Sequence, residues 1–271
     1  MKDAVGSVQS VLLLGGTSDI GLDIVRALVA DRATTVVLAA RDAARAERQA
    51  ASLRAGGAGA AGAEHGAGAS AADRHPAAPT VEVVVLDATR TDSHEAILRD
   101  VFARPGGIDL AIVAAGALGR AGDEQLLDAA ALQLVNGAGA ASLMAHTASA
   151  MRAQGRGTIV LLSSVAADRP RASNFAYGAS KAASDAFARG LQDALHGSGV
   201  DVMIVRPGFV RTKMTASHPP APGAVDADAV TRAVVAGLRA GSAVVYVPGY
   251  LRWVMLVLRL LPRAVFRRLP I

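Results

Sequence analysis

Seven short, nearly continuous apolar runs, separated by longer stretches with mostly helical spacing, constrain this chain more than any other feature. They cover residues 10–14, 35–39, 81–86, 110–114, 158–162, 200–205 and 243–247. Each is rich in Val, Ile or Leu. A strand packed on both faces needs that pattern, because neither side of its pleat meets water. Helical patterns fill most of the intervals, over residues 21–30, 43–54, 93–102, 125–151, 177–196 and 226–240. Strand and helix in turn predict an α/β chain, a doubly wound parallel sheet flanked by helices, since parallel neighbours need long crossovers and a helix supplies them. No repeat or domain boundary interrupts the 271 residues, so one domain spanning 1–271 is expected.

Two segments stand outside the alternation. Residues 55–79 are Ala/Gly-rich with two prolines and no periodicity, and read as a flexible insertion between the second helix and the third strand. Residues 250–271 mix aliphatics and Trp253 with Arg252, Arg259, Arg263, Arg267 and Arg268, and read as an amphipathic tail.

Composition narrows the function classes. There is no cysteine, hence no disulfide framework and no thiolate metal site, and the six histidines show no ligand spacing, so no metal is expected. The net charge of +5 is modest and no aromatic-rich basic platform occurs, which argues against a nucleic-acid partner. The N-terminus lacks signal-peptide features, and no run of about 18 uncharged apolar residues is present. A cytoplasmic protein, or one peripheral at a membrane surface, is expected, with periplasmic placement left open.

The first strand runs into Gly15-Gly16-Thr17-Ser18-Asp19-Ile20-Gly21. Glycines at a strand-to-helix turn let backbone N–H groups approach a diphosphate at a helix N-terminus. At the tip of the second strand, where an acidic residue favours NAD, stand Ala40 and Arg41, with Arg45 nearby. That charge leans towards the 2′-phosphate of NADP, while Asp42 opposes it and a plain solvated loop is the competing reading. Asp87, before Ala88 at the end of the third strand, is placed either to accept from an adenine amino group or to cap the next segment.

Tyr177 and Lys181 are four residues apart, on one face of a helix. A phenol titrates near pH 10, and a neighbouring ammonium brings it down towards useful acid–base chemistry. The chain has only three lysines, and arginine's planar fork suits this task less well than a compact ammonium. Ser164, thirteen residues before Tyr177 at the end of a strand, offers a hydroxyl to a substrate carbonyl. Asn136 is a polar residue in an apolar helix, either structural or functional. Arg206-Pro207-Gly208-Phe209-Val210-Arg211-Thr212 leaves the sixth strand at the edge where a nicotinamide would lie.

Together these residues resemble the short-chain dehydrogenase/reductase superfamily over nearly the whole chain. The resemblance implies a Rossmann-like fold, a catalytic tetrad of Asn136, Ser164, Tyr177 and Lys181, and a cofactor turn from Gly15 to Gly21. It implies that tyrosine protonates the carbonyl while lysine tunes it, that serine orients substrate and that asparagine holds a relay water. It also places Val210 and Thr212 at the nicotinamide carboxamide, and Asp87, Ala88, Ala115, Gly116 and Pro207 along the dinucleotide. Two positions depart: the family's middle glycine is Asp19, and its Asn-Asn-Ala-Gly segment is Val113-Ala114-Ala115-Gly116.

GGTSDIG, the run from Arg171 to Lys181, RPGFVRTKM and the C-terminal MLVLRLLPRAVFRRLPI are similar to decaprenylphosphoryl-2-keto-ribose reductases. That resemblance implies NAD(P)H-dependent reduction of a 2-keto sugar to decaprenylphosphoryl arabinose for cell-wall arabinan. The family reaction is usually written with NAD. It implies a flavin-dependent oxidase as partner, a lipid-linked phosphosugar as substrate, membrane-surface contact and a homo-oligomer. Two readings compete: a general ketoreductase for an acyl or small carbonyl, and a dinucleotide-binding sensor or scaffold without turnover.

Overall fold

The computed structural model describes residues 7–59, 78–120, 124–219, 221 and 223–269. Every apolar run forms a strand of one parallel sheet. These are β1 (Ser10–Leu14), β2 (Thr35–Ala40), β3 (Thr80–Val85), β4 (Leu110–Val113), β5 (Gly157–Leu162), β6 (Val200–Pro207) and, after two short strands, β9 (Val244–Val247). Their order is β3-β2-β1-β4-β5-β6-β9, with β1 near the centre and the winding reversing beside it. The fold is the Rossmann-like α/β architecture that the alternation predicts.

Helices cover both faces, as continuous apolar strands require. On β1, Leu12 and Leu14 point into one core and Val11 and Leu13 into the other. The first core is closed by α3 (His94–Phe102), α5 (Ala140–Gln154) and α6 (Phe175–Ala194), through Leu98, Leu143, Met144 and Ala188. The second is closed by α1 (Asp19–Asp31), α2 (Ala43–Gly59) and α7 (Ala227–Ala240), through Leu22, Val25, Leu53, Val230 and Val234.

Three local findings depart from expectation. The helical pattern at 125–151 is not one regular helix: α4 (Gln125–Leu132) passes through a π-helical turn, Gln133–Gly139, before α5. The turn crosses close above the end of β3, where a Cβ on Gly139 would strike the Ala88 carbonyl, and the wider coil carries Asn136 on it. The run from Gln125 to Gln154 is long and apolar enough to cross a membrane, with a mean hydropathy of 1.2, but its second half is a wall of the core. Second, α2 continues to Gly59, so residues 55–59 of the expected insertion are helical; residues 60–77 lie outside the described residues. Third, β7 (Val210–Arg211) and β8 (Val225–Asp226) pair in parallel beyond β6, a ladder too short to show a period.

The tail forms α8 (Leu251–Leu260) and α9 (Arg263–Phe266).

Candidate active site

The C-terminal ends of β1, β4, β5 and β6 open on one edge of the sheet, at the point where its winding reverses. At the end of β1, the Gly15 and Gly16 amides both donate to the Ala39 carbonyl at 2.9 Å. Gly15 has φ +105°, and a Cβ there would lie 2.6 Å from the Ala115 amide, so a side chain is excluded both by conformation and by space. Ser18 caps α1, its Oγ accepting from the Gly21 amide at 3.2 Å. Thr17 and Ile20 flank that cap. Gly21 lets α1 lie on β1, where a Cβ would meet Leu13 Cδ1 at 2.6 Å. The bare backbone from Gly15 to the α1 N-terminus suits a diphosphate. Asp19 begins α1 with its carboxylate on Lys213, Oδ1 accepting from Nζ at 2.7 Å.

Asp87 serves as a cap here: its Oδ1 accepts from the Thr89 amide at 2.9 Å and the Thr89 hydroxyl at 2.8 Å. Those bonds hold its carboxyl below the usual range, with the exposed Arg41 adding to the effect. Buried His94 fixes the same turn by donating from Nε2 to the Asp87 carbonyl at 2.9 Å, while Nδ1 accepts from Ser142. Asp42 is spent on the start of α2, where it accepts from the Arg45 amide. Ala88 is buried beneath the π-helical turn.

Asn136 is fully buried. Its Oδ1 accepts from the Ala117 amide at 2.8 Å and its Nδ2 donates to the Ala117 carbonyl at 2.8 Å and to Ser180 Oγ at 2.9 Å. The amide thus clamps the segment that follows β4 against α6. A Cβ on Gly116 would lie 2.9 Å from Asn136 Oδ1 and 3.4 Å from Lys181 Nζ. Only a glycine fits there, so Gly116 lies directly against Asn136 and Lys181.

Ser164 ends the segment after β5 and caps a short turn through the Ala166 amide at 3.1 Å, and its hydroxyl reaches the Tyr177 phenol. Tyr177 sits in the first turn of α6. That helix has no side-chain cap of its own; buried Gln125 supplies one from α4, accepting from the Ala176 amide and donating to the Ala172 carbonyl, both at 3.1 Å. Lys181 is 8% exposed and its Nζ donates to the Leu162 carbonyl at 2.9 Å.

The electrostatics reverse one expectation. Burial raises the Tyr177 pKa above its ordinary value, against the smaller pull of Ser164. The lysine's charge is directed at a backbone carbonyl rather than the phenol. Burial lowers Lys181 itself to about 8, against the opposing pull of Asp185. At neutral pH the phenol is therefore protonated and the lysine mostly cationic. That is the state a proton donor needs for carbonyl reduction.

On the far side of Lys181 lies a buried ionic cluster that the sequence did not disclose. Arg206 Nε and Nη2 donate to Asp185 Oδ2 and Oδ1 at 2.9 and 2.6 Å, and Ser163 Oγ donates to Asp185 at 2.8 Å. Arg206 Nη1 donates to the Tyr246 hydroxyl at 2.6 Å and lies 3.2 Å from Asp168. Tyr246 in turn donates to Asp168 at 2.8 Å. The i, i+4 spacing of Lys181 and Asp185 was the available signal for one member. The others come from β6, β9 and the segment that follows β5.

Pro207 closes β6, and Val210, buried, pairs with Val225. Thr212 starts a 3₁₀ turn in which its amide donates to Thr215 Oγ1 at 3.0 Å, and Thr215 donates back to the Val210 carbonyl. The start of α8 packs against Gly208, just after β6, where a Cβ would lie 2.8 Å from Leu251. Arg169, five residues after Ser164, holds the tail by donating to the carbonyls of Arg259 (3.3 Å) and Leu261 (3.2 Å), with its guanidinium 4.4 Å from the Phe266 ring centre. A separate groove of about 730 Å³ between α3 and α5 shares no residue with this constellation.

A short chain dehydrogenase family model matches residues 58–222. An uncharacterized oxidoreductase of Streptomyces coelicolor is 43% identical over 99% of this chain and 98% of its own length. The chain belongs to the short-chain dehydrogenase family. An uncharacterized oxidoreductase of Mycobacterium tuberculosis (strain H37Rv) is 40% identical, with 96% of each chain covered. Among solved structures, a short-chain dehydrogenase from Sphingobium yanoikuyae in complex with NADPH superposes with a TM-score of 0.75 at 24% identity, covering 95% of this chain and 98% of that one. A gluconate 5-dehydrogenase from Burkholderia cenocepacia in complex with NADP and tartrate gives 0.74 at 21% identity, covering 91% and 96%. Membership makes this short-chain dehydrogenase an NAD(P)-dependent oxidoreductase.

Proposed function

We propose that the chain reduces the 2-keto group of decaprenylphosphoryl-2-keto-ribose, giving decaprenylphosphoryl arabinose for cell-wall arabinan. The observation that carries the chemistry is a protonated, half-buried Tyr177 within reach of Ser164 and one helical turn from a cationic Lys181. Tyr177 donates a proton to the carbonyl oxygen and Ser164 orients that oxygen. A reduced nicotinamide dinucleotide, which the Gly15–Gly21 turn and the segment from Pro207 to Thr212 would hold, would supply the hydride to the carbonyl carbon. Lys181, its Nζ on the Leu162 carbonyl, places a cation one helical turn from the developing phenolate, and Asn136 keeps the segment at Gly116 and α6 in register.

The sugar substrate rests on the resemblance of the sequence, and the tail supports its lipid-linked form. Beside the cleft, α8 exposes Trp253 (64%), Val257 (59%) and Leu260 (76%), with Arg252 and Arg259 on the same short helix. Aromatic and aliphatic groups flanked by arginines suit the boundary of an anionic bilayer, where a polyprenyl phosphate presents its head. A flavin-dependent oxidase partner would supply the keto sugar, and a homo-oligomer peripheral to the membrane surface is the form proposed. Nicotinamide oxidation with a keto-sugar polyprenyl phosphate tests the reading. Turnover of small ketones alone would leave a general ketoreductase, and no turnover with either class would leave a dinucleotide-binding sensor.

The membrane contact has its own measurement. The full chain is expected to float with anionic vesicles at low ionic strength and to be released by salt, whereas removal of residues 249–271 abolishes flotation. Full-length protein remaining in the soluble fraction at low salt overturns it.

Arg41 is proposed to read the 2′-phosphate, with both dinucleotides bound. Arg41→Ala is expected to weaken NADPH by about tenfold, the loss of one charge-assisted contact, and NADH by less than about twofold. Equal weakening in fluorescence titrations would refute that role.

A further inference from the structure

Asp19 stands where the family has the middle glycine of its cofactor turn, and it is the first residue of α1. A carboxylate there opposes a diphosphate arriving at the same helix end. Both of its oxygens are taken by one residue, 194 positions away: Oδ1 accepts from Lys213 Nζ at 2.7 Å and Oδ2 from the Lys213 amide at 2.9 Å. Lys213 is one of three lysines in the chain. It directly follows Thr212, so the contact joins the two segments that would hold opposite ends of the dinucleotide. Burial works to raise the Asp19 pKa, but the Lys213 ammonium and amide, with Arg45 behind them, hold it below the ordinary value. The carboxylate is thus ionised throughout the neutral range, and its need for a counter-charge is permanent.

We propose that Lys213 is the built-in counter-ion of Asp19, cancelling the carboxylate beside the diphosphate and so making an acidic cofactor turn compatible with a dinucleotide. Lys213 is then a positioning residue for cofactor binding, and the inference rests on the dinucleotide lying along Gly15–Gly21. The charge of the ammonium, rather than the tether it forms, is what the site uses.

Fluorescence titration of the full chain with NADPH and with NADH separates charge from tether. Lys213→Met is expected to weaken both by roughly fivefold, the scale of a partly exposed ion pair, with the defect shrinking as salt rises. Lys213→Arg keeps the charge and stays within about twofold of wild type. Asp19→Asn combined with Lys213→Met removes the tether entirely yet also removes the stranded carboxylate, and is expected to recover affinity to within about twofold. A double variant no better than Lys213→Met overturns the proposal in favour of a structural clasp, and wild-type affinity in Lys213→Met overturns it outright. A wild-type chain that binds neither dinucleotide brings down the reading of the cleft, and this inference with it.

Discussion

Tyr177→Phe is expected to lower kcat for carbonyl reduction by about 10²–10⁴-fold, the scale of a single positioned acid, while dinucleotide affinity stays as in wild type. The ring keeps its place in the first turn of α6, held from outside by the Gln125 amide, so the variant removes one oxygen and little else. The raised pKa makes the expectation sharper. A phenol that stays protonated through neutral pH acts as a donor without prior activation, so its loss is a loss of the transferred proton. Steady-state kinetics with a reducible ketone, paired with a cofactor titration, provide the check. Near-normal turnover would remove Tyr177 from the chemistry.

Asp185→Ala is expected to cost about 3–5 kcal/mol of stability, because it strands a buried guanidinium. Arg206 is 5% exposed, and Asp185 engages it through both oxygens, at 2.6 and 2.9 Å. Burial works to lower the arginine's pKa, but Asp185, Asp168 and Tyr246 raise it instead. A guanidinium is not deprotonated in proteins, so the cation persists when its main partner is deleted. Asp168 remains at 3.2 Å as a partial substitute and sets the lower end of the range. Asp228→Ala is the control, since its pair with Arg232 is solvent-exposed and worth at most about 0.5 kcal/mol. For a chain of this size the first variant should lower Tm by about 10 °C and the second by less than about 2 °C. Equal melting of the two would show that the cluster is not a stabilising centre.

These residues also show how far the sequence could be read. The strands were legible because each is buried on both faces, and burial leaves a continuous apolar run. Tyr177 and Lys181 were legible because four residues make one helical turn. What escaped notice depends on contacts distant in sequence. Asp19 and Lys213 carry no mark of each other, and Arg206, Asp168 and Tyr246 come together only when β6, β9 and the serine segment are in place. The π-helical turn was hidden because its residues, Gln133–Gly139, keep an apolar helical pattern while the coil widens to pass Ala88. The Tyr177 pKa rises rather than falls because burial outweighs its polar neighbour, and the i, i+4 spacing says that an ammonium is near but neither how deeply the phenol is buried nor that Lys181 Nζ bonds the Leu162 carbonyl.

The strand order has a consequence for how the chain comes to be built. From β1 the sheet extends outward, first through β2 and β3 and then, on the other side, through β4, β5, β6 and β9. Among the described strands, none inserts between two that are already paired. As the polypeptide is synthesised, each new strand meets a free edge, so nothing made earlier has to be pried open to admit it. Loop closure is then paid in small, successive steps, with the largest single jump at β4, which must return to β1. The last strand completes the binding edge, and only afterwards do α8 and α9 arrive to lie against it.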